Sequence, residues 1–161
     1  MNPTPEKTSV MAPFILMLFL YFIVGIFTVI NQQFQVPLKS ALLPHDGNMT
    51  NALVTLLNFS WFLAYPFSEG FATRWVDRLG YRKTSVYSLL IFIVGLGFYE
   101  AAVLLHIYAP SYITIMGNPI FTGFFVFLSG SFVIGMAVTI LQVVTGLYLD
   151  VNPVGKTTPL Q

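Results

Sequence analysis

The sequence of 161 residues contains no cysteine and few charged residues. The absence of cysteine excludes a disulfide scaffold, a thiolate metal site and a cysteine nucleophile. Two histidines are too few for a multi-histidine zinc site. We therefore predict no metal or cofactor. Charged residues make up 8% of the chain, whereas a soluble domain carries about 25%. The net charge of +1 is too small for nucleic-acid binding, which needs clustered basic residues in excess. With 56% apolar residues, an ordinary water-soluble globule is excluded.

The few charges are unevenly distributed, and the gaps between them are long enough to cross a membrane. No Asp, Glu, Lys or Arg lies between Lys7 and Lys39 or between Glu100 and Asp150. A helix needs about 20 apolar residues, each rising about 1.5 Å, to cross the hydrocarbon core. We therefore predict an all-α membrane protein with four transmembrane helices. The predicted segments are a cytoplasmic N-terminus at 1–10, spans at 11–35, 51–72, 84–108 and 120–149, and a cytoplasmic tail at 150–161.

The basic residues predict how these spans are oriented. With four spans, both termini lie on the same side of the membrane, and Lys39 is the one basic residue of seven that falls on the opposite side. Basic residues in short loops stay in the cytoplasm, where each gains about 1 kcal/mol near an anionic leaflet. We therefore expect an integral membrane protein with both termini inside.

The densest charge in the chain lies between the second and third predicted spans. Gly80 permits a tight reversal there, Asp77 can order neighbouring guanidinium groups, and the basic residues anchor the turn to the inner face. Basic residues alone are typical of any inner loop, but the spacing of this one is more specific. Its charged and glycine positions are Asp77, Arg78, Gly80, Arg82 and Lys83.

This spacing resembles the motif D-[RK]-x-G-x-[RK]-[RK] that joins helices two and three of the major facilitator superfamily. The motif lies here between the second and third spans on the predicted inner side, as that family requires. The family usually has glycine four residues before the aspartate, where this chain has Thr73.

Two further stretches resemble the fucose, glucose and galactose permease group of this superfamily. Residues 31–39, NQQFQVPLK, resemble its polar stretch before a proline, and residues 141–149, LQVVTGLYL, resemble its L-[EQ]-x-x-x-N-P-[FY] segment. The proton-coupled fucose members carry acids at the positions aligned with Gln33 and Gln142, which are amides here. Gly146 and Leu147 also replace the usual Asn-Pro pair.

The resemblance implies a twelve-helix fold of which this chain is the N-terminal third. It further implies secondary-active sugar transport by alternating access in a bacterial inner membrane. The implied partners are the lipid bilayer, a small sugar, a coupling H⁺ or Na⁺, and the missing C-terminal helices. Because one third of a permease has no opposing half against which to rock, we expect the chain alone not to transport.

Polar and aromatic residues within the spans are candidates for sugar binding. An unpaired buried amide costs about 2–7 kcal/mol, so each of these side chains needs a partner. An amide offers a hydroxyl both a donor and an acceptor, and aromatic rings offer apolar faces. The competing explanation is that they hold helices together, a role we expect for the small residues Gly123, Gly130, Ser131 and Gly135. The candidates are Gln33, Gln142, Asn31, Gln32, Gln35, Asn58, Trp61 and Tyr65.

Glu100 lies in the outer half of the third span, where an acid is a candidate proton site. Alternatively, it extends to the outer surface or pairs with His106. A different function for the whole chain also stays open: a free-standing four-helix membrane scaffold or small channel. We do not expect an enzyme, because the sequence has no histidine–carboxylate cluster, serine–histidine pair or phosphate loop.

Overall fold

The computed structural model describes residues 11–33, Pro37, Ser40, Leu43, 47–115 and 117–151. Almost all of these residues are helical. All three long helices are long and apolar enough to cross a membrane, which supports the predicted helical membrane protein. The elements are α1 (Met11–Gln33), α2 (Asn48–Tyr108), β1 (Tyr112–Ile115), β2 (Asn118–Phe121) and α3 (Thr122–Val151).

Helix α2 is broken at Gly80 into a first arm, residues 48–79, and a second arm, residues 81–108. Gly80 has φ 77° and ψ 167°, a combination that is essentially confined to glycine. Trp61 and Tyr99 pack around one apolar cluster, although 38 residues of continuous helix would separate them by about 57 Å. The arms therefore fold back beside one another, and the reversal predicted at Gly80 is confirmed.

The helical arms continue through the charged segment that we predicted as an inner loop. Residues 73–79 belong to the first arm and residues 81–83 to the second, so Gly80 alone interrupts the helix. The Thr84 hydroxyl donates to the Gly80 carbonyl oxygen at 2.9 Å, at the start of the second arm. The prediction ended each span where charge begins, but arginine and lysine are good helix formers and extend helices beyond the apolar stretch.

A short β-hairpin joins the second arm to α3 and was not predicted. Strands β1 and β2 pair antiparallel, with Ile113 opposite Ile120, and Gly117 has a positive φ of 81° in the two-residue turn. The fourth predicted span corresponds to helix α3, which begins at Thr122 rather than at residue 120 and ends at Val151. The end of the second arm at Tyr108 agrees with the predicted end of the third span.

Helix α3 lies at the centre of the bundle because small residues let its neighbours approach closely. A Cβ added at Gly135 would lie 2.6 Å from the Trp61 carbonyl oxygen, and one at Gly130 would lie 2.8 Å from the Phe98 Cβ. Ser131, which follows Gly130 on the same helix, is fully buried. The structural role predicted for these small residues is confirmed. Gly95 in the second arm, which was not predicted, likewise packs against Ile134.

Helix α1 packs mainly against α3 and buries little of its own surface. Met17 and Val24 are its two buried residues, and Val24 joins a cluster with Trp61, Ile134 and Leu141. Most of its other apolar residues are exposed, as expected of a helix that faces lipid or further helices.

Candidate functional site

A cavity of about 370 Å³ lies where α1, both arms of α2 and α3 meet. We call it the aromatic cavity, because five of its ten lining residues carry aromatic rings. None of the ten is charged, and the volume lies within the range of about 300–1,000 Å³ found for ligand pockets. The lining residues are Phe27, Ile30, Asn31, Trp61, Phe92, Leu96, Tyr99, Val103, Phe127 and Ile134.

Helical spacing explains which residues reach the aromatic cavity. The second arm contributes Phe92, Leu96, Tyr99 and Val103 at intervals of four, three and four, so all four lie on one helix face. Two of the predicted candidates, Asn31 and Trp61, also line it. The aromatic positions of the second arm were not predicted, although their spacing in the sequence was a usable signal.

Tyr99 is held in the cavity wall by two contacts with α3. Its ring stacks on Phe127 with centroids 3.9 Å apart and an interplanar angle of 3°. Its hydroxyl lies 2.9 Å from the Ser131 Oγ, and either oxygen can donate. These two contacts fix the position of the Tyr99 ring against α3.

We expect Tyr99→Phe to lower the free energy of unfolding by about 1–2 kcal/mol, because it leaves the buried Ser131 hydroxyl without its partner. Ser131→Ala should cost a similar amount. The double variant should cost less than the sum, because neither oxygen is then left unpaired. Additive losses in SDS-induced unfolding, followed by tryptophan fluorescence in mixed micelles, would contradict this coupling.

Two buried polar atoms on the first arm lack a hydrogen-bond partner within the described residues. They are the Oδ1 of Asn58 and the Nε1 of Trp61. Trp61 is 2% exposed, so its N–H is shielded from bulk water. An unsatisfied buried group costs about 1–3 kcal/mol. A donor and an acceptor therefore lie about one helical turn apart on the first arm, and both are inaccessible to solvent. Trp61 lines the aromatic cavity, whereas Asn58 does not.

The structure connects two further candidates directly. The Tyr65 hydroxyl donates to the Gln142 Oε1 at 3.4 Å, a long hydrogen bond between half-buried groups of the first arm and α3. A contact of this length is weak. Both side chains therefore keep hydrogen-bonding capacity for a third group.

The polar end of α1 does not approach Gln142. Gln32 and Gln33 are exposed, and Gln35 lies outside the described residues. Gln142 lies next to Leu141, which packs in one cluster with Val24 of α1. Gln33 is nine residues beyond Val24, or about 13 Å further along the axis of α1. The two positions aligned with fucose-permease acids therefore do not form one site in this structure.

Two buried threonines of α3 form their hydrogen bonds within the helix. Thr139 donates to the Gly135 carbonyl oxygen and Thr145 to that of Leu141, each at 2.8 Å. Both are buried against neighbouring helices, and neither lines the aromatic cavity.

Glu100 is exposed and makes no ion pair with any described residue. The predicted alternative partner, His106, instead packs its ring against Phe121 at 5.0 Å. The charged residues around Gly80 are also exposed, and within the described part of the chain Asp77 forms no ion pair with Arg78 or Arg82.

Comparison of the chain with protein-family models, with curated proteins and with solved structures gave no match. Any function must therefore be argued from the residues and geometry described above.

Proposed function

We propose that the chain forms four membrane spans of a secondary-active sugar permease of the major facilitator type. Each arm of α2 contains more than 20 residues, which is enough to cross the hydrocarbon core. A reversal at Gly80, within the motif from Asp77 to Lys83, makes these arms the second and third spans. The motif then lies at the inner membrane surface, where its basic residues are stabilised by anionic lipid.

The observation that carries the sugar assignment is the convergence of amide and aromatic candidates inside the bundle. Asn31 and Trp61 line one cavity, and Tyr65 meets Gln142 nearby. Amides and phenols exchange hydrogen bonds with hydroxyls, while rings cover C–H faces. This combination suits a neutral polyhydroxylated ligand better than an ion.

Alternating access needs a second bundle against which the first can rock. Under the proposal, the exposed apolar face of α1 and the second arm is covered by the remaining helices and by lipid. The amides at Gln33 and Gln142 cannot carry a proton, so coupling uses another group, such as Glu100, or another ion.

The orientation can be tested with single cysteines, because the chain has none of its own. The cysteine of Lys83→Cys is expected to react with an impermeant maleimide in inside-out membrane vesicles or in opened cells, but not in intact cells. A cysteine at Tyr112, in the β-hairpin, should react in intact cells. Labelling of Lys83→Cys from outside would contradict the proposed inner position of the motif.

Transport can be tested by counterflow of radiolabelled hexoses in vesicles that contain the complete permease. Gln142→Ala should reduce counterflow at least 10-fold, because it removes an amide that we place at the ligand. Thr139→Ala, which alters a hydroxyl satisfied within α3, is the matched control and should leave counterflow within twofold. Unchanged counterflow in Gln142→Ala would contradict the site, and robust uptake by these four spans alone would contradict the need for a second bundle.

A further inference from the structure

We propose that a second copy of this chain packs against the outer face of the second arm, and that the two Glu100 side chains meet in a two-fold interface. The proposal goes beyond the proposed function, because it needs the second arm to cross the membrane but does not need the chain to transport a sugar. The outer face is the exposed stripe of Leu90, Ile93, Gly97, Glu100, Leu104 and Ile107.

The outer face points away from the rest of the bundle. Gly95 and Ala102 of the same arm pack against α3: a Cβ added at Gly95 would lie 3.1 Å from the Ile134 backbone nitrogen, and one added at Gly123 would lie 3.0 Å from the Ala102 carbonyl oxygen. At about 100° per residue, Glu100 is about 140° round the helix from Gly95 and about 160° from Ala102. The stripe repeats at alternating intervals of three and four residues, which suits one neighbouring helix at a small crossing angle.

Glu100 lies at a depth where an acid needs a partner. It follows Lys83 by 17 residues, or about 26 Å along the helix axis, whereas the hydrocarbon core is about 30 Å thick. Its Cα–Cβ bond tilts toward the start of the arm, and so back into the hydrocarbon rather than toward the outer surface. Acids within a membrane almost always pair, yet Glu100 has no ion-pair partner among the described residues. Lipid tails alone would leave its carboxyl unpaired.

A second copy supplies that partner at the correct depth. All copies have one orientation in the membrane, so a two-fold axis along the membrane normal brings Glu100 opposite the partner's Glu100. A protonated carboxyl both donates and accepts, so the two groups can exchange hydrogen bonds. Gly97, one turn before, lets the two backbones approach closely. Nothing in its own bundle requires a glycine there, because no atom lies within 4 Å of an added Cβ.

Single cysteines locate the interface, because the chain has none of its own. Ile93→Cys and Val94→Cys form a matched pair: the two residues are adjacent along the arm, 62% and 57% exposed, and about 100° apart round the helix. When the full chain is oxidised in lipid vesicles, Ile93→Cys should form disulfide-linked dimers in at least fivefold higher yield than Val94→Cys. Equal yields would overturn the interface, because random collision does not select one face.

Variants of Glu100 in the Ile93→Cys background identify the occupant. Glu100→Gln should keep the dimer yield within twofold, because an amide also donates and accepts. Glu100→Leu should lower it at least fivefold. Loss in both variants would show that a negative charge is needed, which would replace the second copy by a different helix that carries a basic side chain. An unchanged yield in Glu100→Leu would overturn the pairing of the two acids.

A bulky residue at Gly97 tests the close approach. Gly97→Leu should lower the dimer yield at least fivefold, whereas Gly70→Leu, at an exposed and equally uncrowded glycine of the first arm, should stay within twofold. Both should unfold in SDS like the parent, since neither side chain meets its own bundle. Equal yields would contradict the close approach at Gly97. Hexose counterflow without the Ile93→Cys dimer would remove this interface and leave the permease, whereas the dimer without counterflow would do the reverse.

Discussion

Gly135→Ala is expected to destabilise the bundle by about 3 kcal/mol, at the upper end of the usual range for overpacking. The added Cβ would lie 2.6 Å from the Trp61 carbonyl oxygen and 3.0 Å from the Ala64 Cβ. One of these neighbours is backbone and the other is a Cβ, so neither can rotate away. The first arm must therefore shift away from α3. SDS-induced unfolding in mixed micelles would measure the loss.

Gly146→Ala is the matched control, because it lies on the same helix with no atom within 4 Å of an added Cβ. Alanine is a better helix former than glycine by about 0.5–1 kcal/mol, so this variant should be neutral or slightly stabilised. The two substitutions are chemically identical, yet only Gly135→Ala should lower the free energy of unfolding. Equal effects would mean that α3 and the first arm are not in contact at Gly135.

The position of Gly135 also connects packing to the candidate site. Ile134, the residue before Gly135, lines the aromatic cavity. Gly135 itself packs against the backbone of Trp61. Displacement of the first arm would therefore move the indole that we place at the ligand. Gly135→Ala should therefore reduce hexose counterflow by the complete permease as well as stability, whereas Gly146→Ala should leave counterflow unchanged.

Local sequence signals predicted those parts of the fold that depend on a single residue type. Gly80 was predictable because the required backbone conformation excludes residues with a Cβ, and the helix end at Tyr108 followed from Pro110, which disfavours helix in the residue before it. Ser131 and Gly135 could likewise be recognised as packing positions from their four-residue spacing along one helix.

Features that depend on contacts between helices were not predictable in the same way. The spacing of Phe92 and Tyr99 indicates that they share one face of the second arm. Whether that face meets the predicted candidates Asn31 and Trp61 depends on how each helix is rotated in the bundle, which no local signal shows. The β-hairpin was missed because the segment between the predicted spans 84–108 and 120–149 was assigned no secondary structure, and its strands are only four residues long. Gln33 and Gln142 were each selected by resemblance to a separate helix of the permease group, and such a resemblance does not show how far apart the two residues lie in the bundle.

Gly80→Ala should destabilise the bundle by about 1–3 kcal/mol for a reason unrelated to crowding. No atom lies within 4 Å of a Cβ built there, so the whole cost comes from φ 77° with ψ 167°. Gly70→Ala, on the same helix and equally uncrowded, should not destabilise.

Gly80→Asn separates this explanation from an ordinary left-handed turn. Asparagine tolerates the left-handed helical region, where ψ is about 47°, but not the extended ψ of Gly80. It should therefore be as destabilising as alanine when unfolding is measured in mixed micelles. Restored stability in Gly80→Asn would show that the turn adopts a different backbone conformation. The arms would then lie at another angle, and the pairing of Trp61 with Tyr99 around the aromatic cavity would no longer follow.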